Sequence, residues 1–140
     1  MLYIETTEHD GLGKPAMRIY KNKSFAKFAR KERIGDATLC KVVKDAEAGK
    51  IDADYGGGVI KQRIARPNEG KSGGYRSIIL FRKGTRAFFV YGFSKKDLEN
   101  ISESQVSGFQ QLAEALLPLA DEDVAKLLKN GTYQEVKCDD

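Results

Sequence analysis

The sequence is poor in the residues that most hydrolytic enzymes use. Its 140 residues include one histidine (His9), two cysteines, three prolines and no tryptophan. No group of cysteine, histidine or carboxylate residues has the spacing of metal ligands, so we expect no metal and no other cofactor. A nucleophile activated by histidine is excluded by the same shortage. If the chain is an enzyme, its chemistry must come from other side chains.

Cysteine usage and apolar content also bear on where the protein works. Cys40 and Cys138 lie far apart in the sequence, and we expect them to be free thiols of a cytoplasmic protein. No apolar run approaches the roughly 18 residues needed to cross a bilayer, so we expect no membrane partner.

Positive charge is present in excess, and it is concentrated in the middle of the chain. Residues 17–96 hold 20 Lys and Arg against 7 acids, whereas residues 97–140 hold 3 Lys against 10 acids. Within residues 57–96 there are ten basic residues and one acid, Glu69. A surface whose charges serve only solubility carries positive and negative residues side by side. The segregation of positive charge in this segment therefore indicates a polyanionic partner. Nucleic acid is the first candidate, and an acidic protein is the alternative.

The chain is long enough for one domain with its own core. Glycines and a proline interrupt residues 1–16, which we expect to form a weakly ordered leader or extension. The single domain then covers residues 17–140. It divides into a core over residues 17–101 and a helical C-terminal part over residues 102–140.

The apolar periodicity predicts an α+β fold. Two short helices, one capped by Ser24 and one by Asp36, form an N-terminal hairpin. Apolar runs at residues 59–65, 75–81 and 86–93 predict three strands in a small antiparallel meander, on which the hairpin packs. The glycine-rich stretch 52–58 is expected to be a turn.

Helices and a short strand are expected after the meander. Ser102 and Gln105 have the spacing of a capping box at the start of one helix. Asp121 is expected to cap a second helix, which ends at Gly131. The segment "TYQEVKC" predicts a short edge strand.

The stretch "GKSGGYR", residues 70–76, raises the question of a nucleotide site because Gly-Lys-Ser ends the phosphate-binding P-loop. That motif needs a glycine five residues before Gly70, where this chain has Ala65, and it must open a helix. Here a strand follows instead. We therefore interpret residues 70–74 as a loop that delivers Arg76 to the next strand.

The candidate chemistry is a set of cations on the sheet. Lys61 and Arg63 share one face of their strand because side chains repeat every two residues. Arg76 begins the next strand and Lys95 follows the third, so these side chains are expected to meet. Arginine can bind phosphate oxygens through two donors and lysine supplies a point charge. Crowded cations can also make a lysine a usable base.

Further residues in the same segment are candidates for contact with RNA. Tyrosine rings could stack on a base or pack in the core, and the basic residues could contact the backbone. These candidates are Arg66, Lys71, Tyr75, Arg82, Tyr91 and Lys96.

The segment "VIKQRIARPNEGKSGGYRSIILFRKGTRAFFVYGFSKKDLENI" resembles the sheet of a RelE-type toxin of bacterial type II toxin–antitoxin systems, in the HigB-like branch. The resemblance implies a compact fold similar to microbial ribonucleases. It also implies metal-independent cleavage of mRNA on the ribosome, in which the ribose 2′-OH attacks the phosphodiester. Lys61 or Arg63 would help to deprotonate the 2′-OH, Arg76 would stabilise the transition state, and Lys95 would neutralise or protonate the leaving group.

The resemblance leaves the general base open. Ile101 stands where some relatives have a catalytic tyrosine, so Tyr91, Tyr75 or a lysine would have to replace it, or the chain is a weak nuclease. Toxins of the ParE branch share the fold but act on gyrase, so a gyrase inhibitor or a non-enzymatic nucleic-acid-binding module is the alternative function. The family also implies a cognate antitoxin, often a helix-turn-helix protein.

Overall fold

The computed structural model describes residues 17–66, 70–95 and 100–138. Within these ranges the chain forms four helices and six strands. In chain order they are β1 Arg18–Asn22, α1 Lys23–Glu32, α2 Asp36–Glu47, β2 Ala53–Gly56, β3 Val59–Arg66, β4 Gly70–Arg82, β5 Arg86–Ser94, α3 Glu103–Leu116, α4 Asp121–Lys129 and β6 Tyr133–Glu135. None of the described helices combines the length and apolar content needed to span a bilayer.

All six strands belong to one mixed sheet, in the order β2-β3-β4-β5-β1-β6. The expected meander of β3, β4 and β5 is confirmed, and so is the α+β class. The sheet is larger than expected because β1 pairs in parallel with β5, and β6 pairs with β1 at the edge. The expected turn at residues 52–58 is wrong in part, since β2 forms there and pairs with β3.

Each face of the sheet is covered by its own group of helices. The α1–α2 hairpin packs on one face, around buried residues such as Phe25, Leu39 and Phe89. The opposite face carries a second core around Phe88 and Leu116, formed with α3 and α4. Strand residues alternate between these two cores, which fixes the direction of the side chains at residues 59–64 of β3 and 75–81 of β4.

The helix starts differ from expectation by one or two residues. Asn22 rather than Ser24 caps α1, because its side chain accepts a hydrogen bond from the Phe25 amide at 2.8 Å. Asp36 and Asp121 are the first residues of their helices rather than the caps. The capping box at Ser102 is confirmed.

The glycine-rich stretch at residues 70–74 is part of β4 rather than a loop. A side chain at Gly74 would meet the Ile64 carbonyl oxygen at 2.6 Å, so glycine permits the close approach of β3 at the point where the ladder is irregular. Gly92 has the same role against α1, because a Cβ there would overlap the Phe28 ring.

Cys40 and Cys138 form a disulfide, so the expectation of free thiols is wrong. The two residues are 98 positions apart, and their Cα atoms lie 5.8 Å apart. The fold brings them together because β6 runs beside β1 and carries the C-terminal segment to the start of α2. There the Lys137 amide donates a hydrogen bond to the Asp36 carboxylate at 2.9 Å.

This disulfide predicts a stability that depends on redox state. Cys138→Ser is expected to lower the free energy of unfolding by about 2–4 kcal/mol, because the bond closes a long loop in the unfolded chain. Guanidinium unfolding with and without a reductant measures the effect. The reductant should destabilise the unsubstituted chain and leave the variant unchanged. Equal stability of the two proteins under oxidising conditions would contradict the prediction.

Candidate active site

The register of β3 and β4 brings three of the predicted cations together. Arg63 is the cross-strand partner of Arg76, and Lys61 is the partner of Ile78. Ile78 belongs to the second core, so Lys61, Arg63 and Arg76 share the face opposite the α1–α2 hairpin. Neighbouring strands lie about 4.8 Å apart, so these residues form one patch. We call Lys61, Arg63 and Arg76 the cationic face.

The cationic face contains an acid that sequence reasoning missed. The Oδ2 atom of Asp52 lies 3.7 Å from Arg76 Nε and 3.9 Å from Lys61 Nζ. The side chains of Arg76 and Lys61 are 8% and 15% exposed, against 28% for Asp52. A charge so far removed from water requires a counter-charge, and Asp52 supplies it to both cations.

A buried amide fixes the position of Asp52. Gln62 is 4% exposed, and its Oε1 accepts a hydrogen bond from the Asp52 amide at 2.9 Å. Its Nε2 donates to the carbonyls of Val42 and Lys50, at 3.3 and 3.0 Å. The Gln62 side chain therefore connects α2 and the segment after it to the start of β2. These bonds fix the main chain that carries the Asp52 carboxylate.

Asp52 and Arg63 also border an open groove of about 370 Å³, between the end of α2 and β3. Lys50, Ile51 and Gln62 complete the wall near Asp52. Arg63 is the member of the cationic face that lines the groove, and a ligand in the groove can reach the carboxylate of Asp52.

Tyr91 lies in the same row across the sheet as Lys61, because both are aligned with Ile78. The ladder between β4 and β5 is irregular beside this pair, and Val90 has no partner in it. The Tyr91 ring is half-buried and packs 6.1 Å from Phe109 of α3, measured between ring centroids. Tyr91 is thus both a member of the second core and a neighbour of the cationic face.

Tyr75 lies on the other side of the sheet and packs in the first core, which is one of the two locations expected for it. It is 3% exposed, its hydroxyl donates to Glu32 at 2.7 Å, and its ring meets Phe28 edge-on. Adjacent strand residues point to opposite faces, so Tyr75 cannot accompany Arg76. We therefore leave Tyr75 out of the site.

The remaining candidates have different locations. Arg82 lies six residues along β4 from Arg76, about 20 Å away, where its Nη1 donates to the Leu117 carbonyl. Lys95 is exposed, directly after β5, at the end of the sheet near Arg76. Arg66 and Lys71 belong to β3 and β4, but their side chains lie outside the described part, and Lys96 lies outside the described residues.

Neither Ile101 nor Tyr55 can act as a base at neutral pH. Ile101 is buried in the second core and carries no titratable group. Burial raises the pKa of the Tyr55 hydroxyl, and the charge of Asp52 raises it further. Tyr55 therefore remains a phenol, and its hydroxyl donates to Asn100 at 2.9 Å.

The positive charge of the middle segment is divided between two surfaces. Besides the cationic face, exposed basic side chains cover the outer surface of α1, on the opposite side of the sheet. They are Lys23, Lys27, Arg30 and Lys31. Over the described ranges, no three His, Cys, Asp or Glu residues are grouped as metal ligands would be.

The fold and the cationic face define a small α+β domain with a cluster of cations on its mixed sheet. The family model of the RelE toxin of the RelE/RelB toxin–antitoxin system matches residues 17–136. The chain therefore belongs to the RelE toxin family, and membership implies a cognate antitoxin. No curated protein gave a significant match to the chain.

The role of Gln62 can be measured as stability. Gln62→Leu is expected to lower the free energy of unfolding by about 1–3 kcal/mol, because it leaves buried carbonyls without their donor. Gln110→Leu is the matched control. Gln110 is half-buried and donates to the Tyr55 carbonyl, where water can replace it, so a loss below about 1 kcal/mol is expected. Denaturant titration compares the two variants. Equal losses of unfolding free energy would refute the proposal that Gln62 holds α2 and the start of β2 together.

Proposed function

We propose that this toxin is an endoribonuclease that cleaves mRNA, on the ribosome, through attack of a ribose 2′-OH on the adjacent phosphodiester. The observation that supports this proposal is the convergence of Lys61, Arg63 and Arg76 on one face of β3 and β4. Cleavage of RNA concentrates negative charge on the phosphorus oxygens. Fixed cations aimed at that charge stabilise the transition state more than the ground state.

Each cation has a role that fits its position. Arg76 is nearly buried and therefore rigid, which suits it to bind the phosphate and stabilise the transition state. Lys61 lies beside it and adds a point charge, while Arg63 borders the groove and contacts the RNA backbone. Lys95, exposed at the same end of the sheet, neutralises or protonates the leaving oxygen. Tyr91 offers a partly exposed ring for a base.

The proposal includes two further features of the family resemblance. Arg66, Lys71 and Lys96 stay predictions as contacts along the RNA. The antitoxin is proposed to be a helix-turn-helix protein, as in the HigB-like branch, that covers the cationic face. A basic surface of this kind favours a partner that offers carboxylates to it.

The cleavage is proposed to be independent of metal ions, since three cationic side chains supply the charge that a metal would otherwise provide. An excess of EDTA is expected to leave the rate of RNA cleavage unchanged in a magnesium-free buffer with an RNA oligonucleotide. With ribosomes, whose integrity needs magnesium, the comparison is restricted to chelators selective for transition metals. A rate that falls to background and returns on adding one divalent ion would contradict this part of the proposal.

Removal of the cations tests the site. Arg76→Ala is expected to reduce cleavage on the order of 100-fold or more, and induction of this variant in bacteria should permit growth. Lys61→Ala should have a smaller effect in the same direction. Arg30→Ala is the control, because it removes the same charge from the exposed surface of α1. Immunoblots establish equal expression.

Mapping RNA ends after induction distinguishes the proposed target from the alternatives. Cuts within translated codons, absent from Arg76→Ala cells, support the nuclease. Intact messages with DNA damage would instead indicate a gyrase inhibitor, and intact RNA without toxicity would leave a binding role. Full toxicity of the double variant Arg76→Ala/Lys61→Ala would refute the assigned site.

A further inference from the structure

We propose that Asp52 is the general base of the cleavage, the group that accepts the proton of the ribose 2′-OH. This inference rests on the proposed function and assigns a residue to a step that the cations alone do not supply. The two ion pairs of Asp52 converge on one oxygen, Oδ2, which lies 3.7 Å from Arg76 Nε and 3.9 Å from Lys61 Nζ. A phosphate bound by these two cations must therefore lie next to the carboxylate.

The ion-pair distances leave the cations able to bind a substrate. Charged hydrogen bonds between nitrogen and oxygen are about 2.7–2.9 Å long, and both pairs are longer than this. Asp52 therefore offsets one of the two positive charges of Arg76 and Lys61 without a close hydrogen bond to either one. A phosphate oxygen that approaches more closely can take over the donors while the carboxylate remains within reach of the neighbouring ribose.

Asp52 is better suited to the role than the other groups nearby. A carboxylate is already in its basic form at neutral pH, whereas an ammonium must first lose its proton and a guanidinium does not do so. Lys61 and Arg63 are thus better suited as electrostatic groups. Among the tyrosines, Tyr75 lies on the other side of the sheet and the Tyr91 ring packs against Phe109 in the second core. Burial raises the pKa of Tyr55.

The position of Asp52 meets the other needs of a base. Gln62 holds its backbone amide, and the ion pairs with Lys61 and Arg76 orient its Oδ2. The carboxylate is therefore pre-organised, as a base must be to lie within hydrogen-bond reach of the proton it removes. Its side chain is 28% exposed and borders the open groove, so the ribose can approach it. A carboxylate whose only role is to balance the charge of a buried arginine does not need access from an open groove.

The step balances without any added reactant. Asp52 takes the 2′-OH proton as the 2′-oxygen forms a bond to phosphorus, and the bond from phosphorus to the 5′-oxygen breaks. The 5′-oxygen receives a proton from the ammonium of Lys95 or from water. The products are a 2′,3′-cyclic phosphate and a 5′-hydroxyl. Asp52 then releases its proton to solvent, and Lys95 regains one.

The test separates binding from cleavage in one variant, Asp52→Asn. We expect its single-turnover cleavage rate to fall at least about 100-fold, since a general base contributes about 10²–10⁴-fold. An RNA with 2′-deoxyribose at the cut position measures binding without cleavage. Its affinity for the variant is expected to stay within about threefold of the unsubstituted value or to increase, because a negative charge leaves the cationic face.

Asp54→Asn is the matched control. Asp54 lies in β2, two residues after Asp52, is exposed, and accepts a hydrogen bond from the Gly56 amide at 2.9 Å. Asparagine can keep that bond, so the variant loses the same charge from a position two residues away. Its cleavage rate and its RNA affinity are expected to stay within about twofold of the original values, because the described hydrogen bond of Asp54 is to the Gly56 amide rather than to the cationic face.

Three outcomes would overturn the inference, and one of them would overturn the proposed function as well. If Asp52→Asn cleaves within threefold of the unsubstituted chain, Asp52 is not the base, although the nuclease stands. If binding falls in parallel with cleavage, Asp52 only positions the cations. If the unsubstituted chain cleaves no RNA, the proposed function fails together with the base.

A second variant separates loss of the base from loss of folding. Asp52 neutralises a nearly buried arginine, so the uncharged variant could unfold. Asp52→Glu retains the charge and moves the carboxylate by one methylene. It is expected to cleave more slowly than the original chain but at least tenfold faster than Asp52→Asn. Equal inactivity of both variants, with native far-UV circular dichroism and undiminished RNA binding, would contradict the role of a carboxylate base.

Discussion

The candidate site depends on the pairing of β3 with β4 in a register that sets Arg63 directly opposite Arg76. Like charges across an antiparallel pair repel, so this register is not favoured by the two arginines themselves. It is imposed by the flanking residues, since Ile60 and Ile64 must face the first core. A slip of one residue would bury Lys61 and Arg63 and expose the isoleucines. The carboxylate of Asp52 then offsets part of the repulsion at the arginine that is nearly buried.

The rest of the fold supports this pair of strands from both sides. The α1–α2 hairpin covers one face, and Gln62 extends from that face to hold the start of β2. The second core, under α3, leaves one end of the opposite face to the cations. The disulfide and the pairing of β6 with β1 fasten the C-terminal segment to α2, remote from the site. The disulfide and the cationic face thus lie in different parts of the sheet.

The sequence predicted the features that depend on local periodicity. Lys61 and Arg63 were placed on one face because strands repeat every two residues, and the structure agrees. Tyr75 was predicted either to stack on a base or to pack in the core, and it packs in the first core. Alternation along β4 directs it away from Arg76. Residues 70–74 were predicted to be a loop, whereas they belong to β4.

The largest features that were missed require contacts between distant parts of the chain. The parallel pairing of β1 with β5 and the bond between Cys40 and Cys138 have no local signal. Asp52 was overlooked because it precedes the basic segment and reaches the site only through the pairing of β2 with β3. The charge pattern predicted a polyanionic partner, but it did not distinguish the cationic face from the surface of α1.

The central claim is that the cationic face promotes attack by a ribose 2′-OH. The chemistry of the cleaved ends tests it most directly, with the purified protein, programmed ribosomes and a message cut at one mapped position. The account predicts a 2′,3′-cyclic phosphate and a 5′-hydroxyl, and no cut when that single position carries 2′-deoxyribose. Cleavage of the deoxy-substituted message, or ends with a 5′-phosphate and a 3′-hydroxyl, would contradict it.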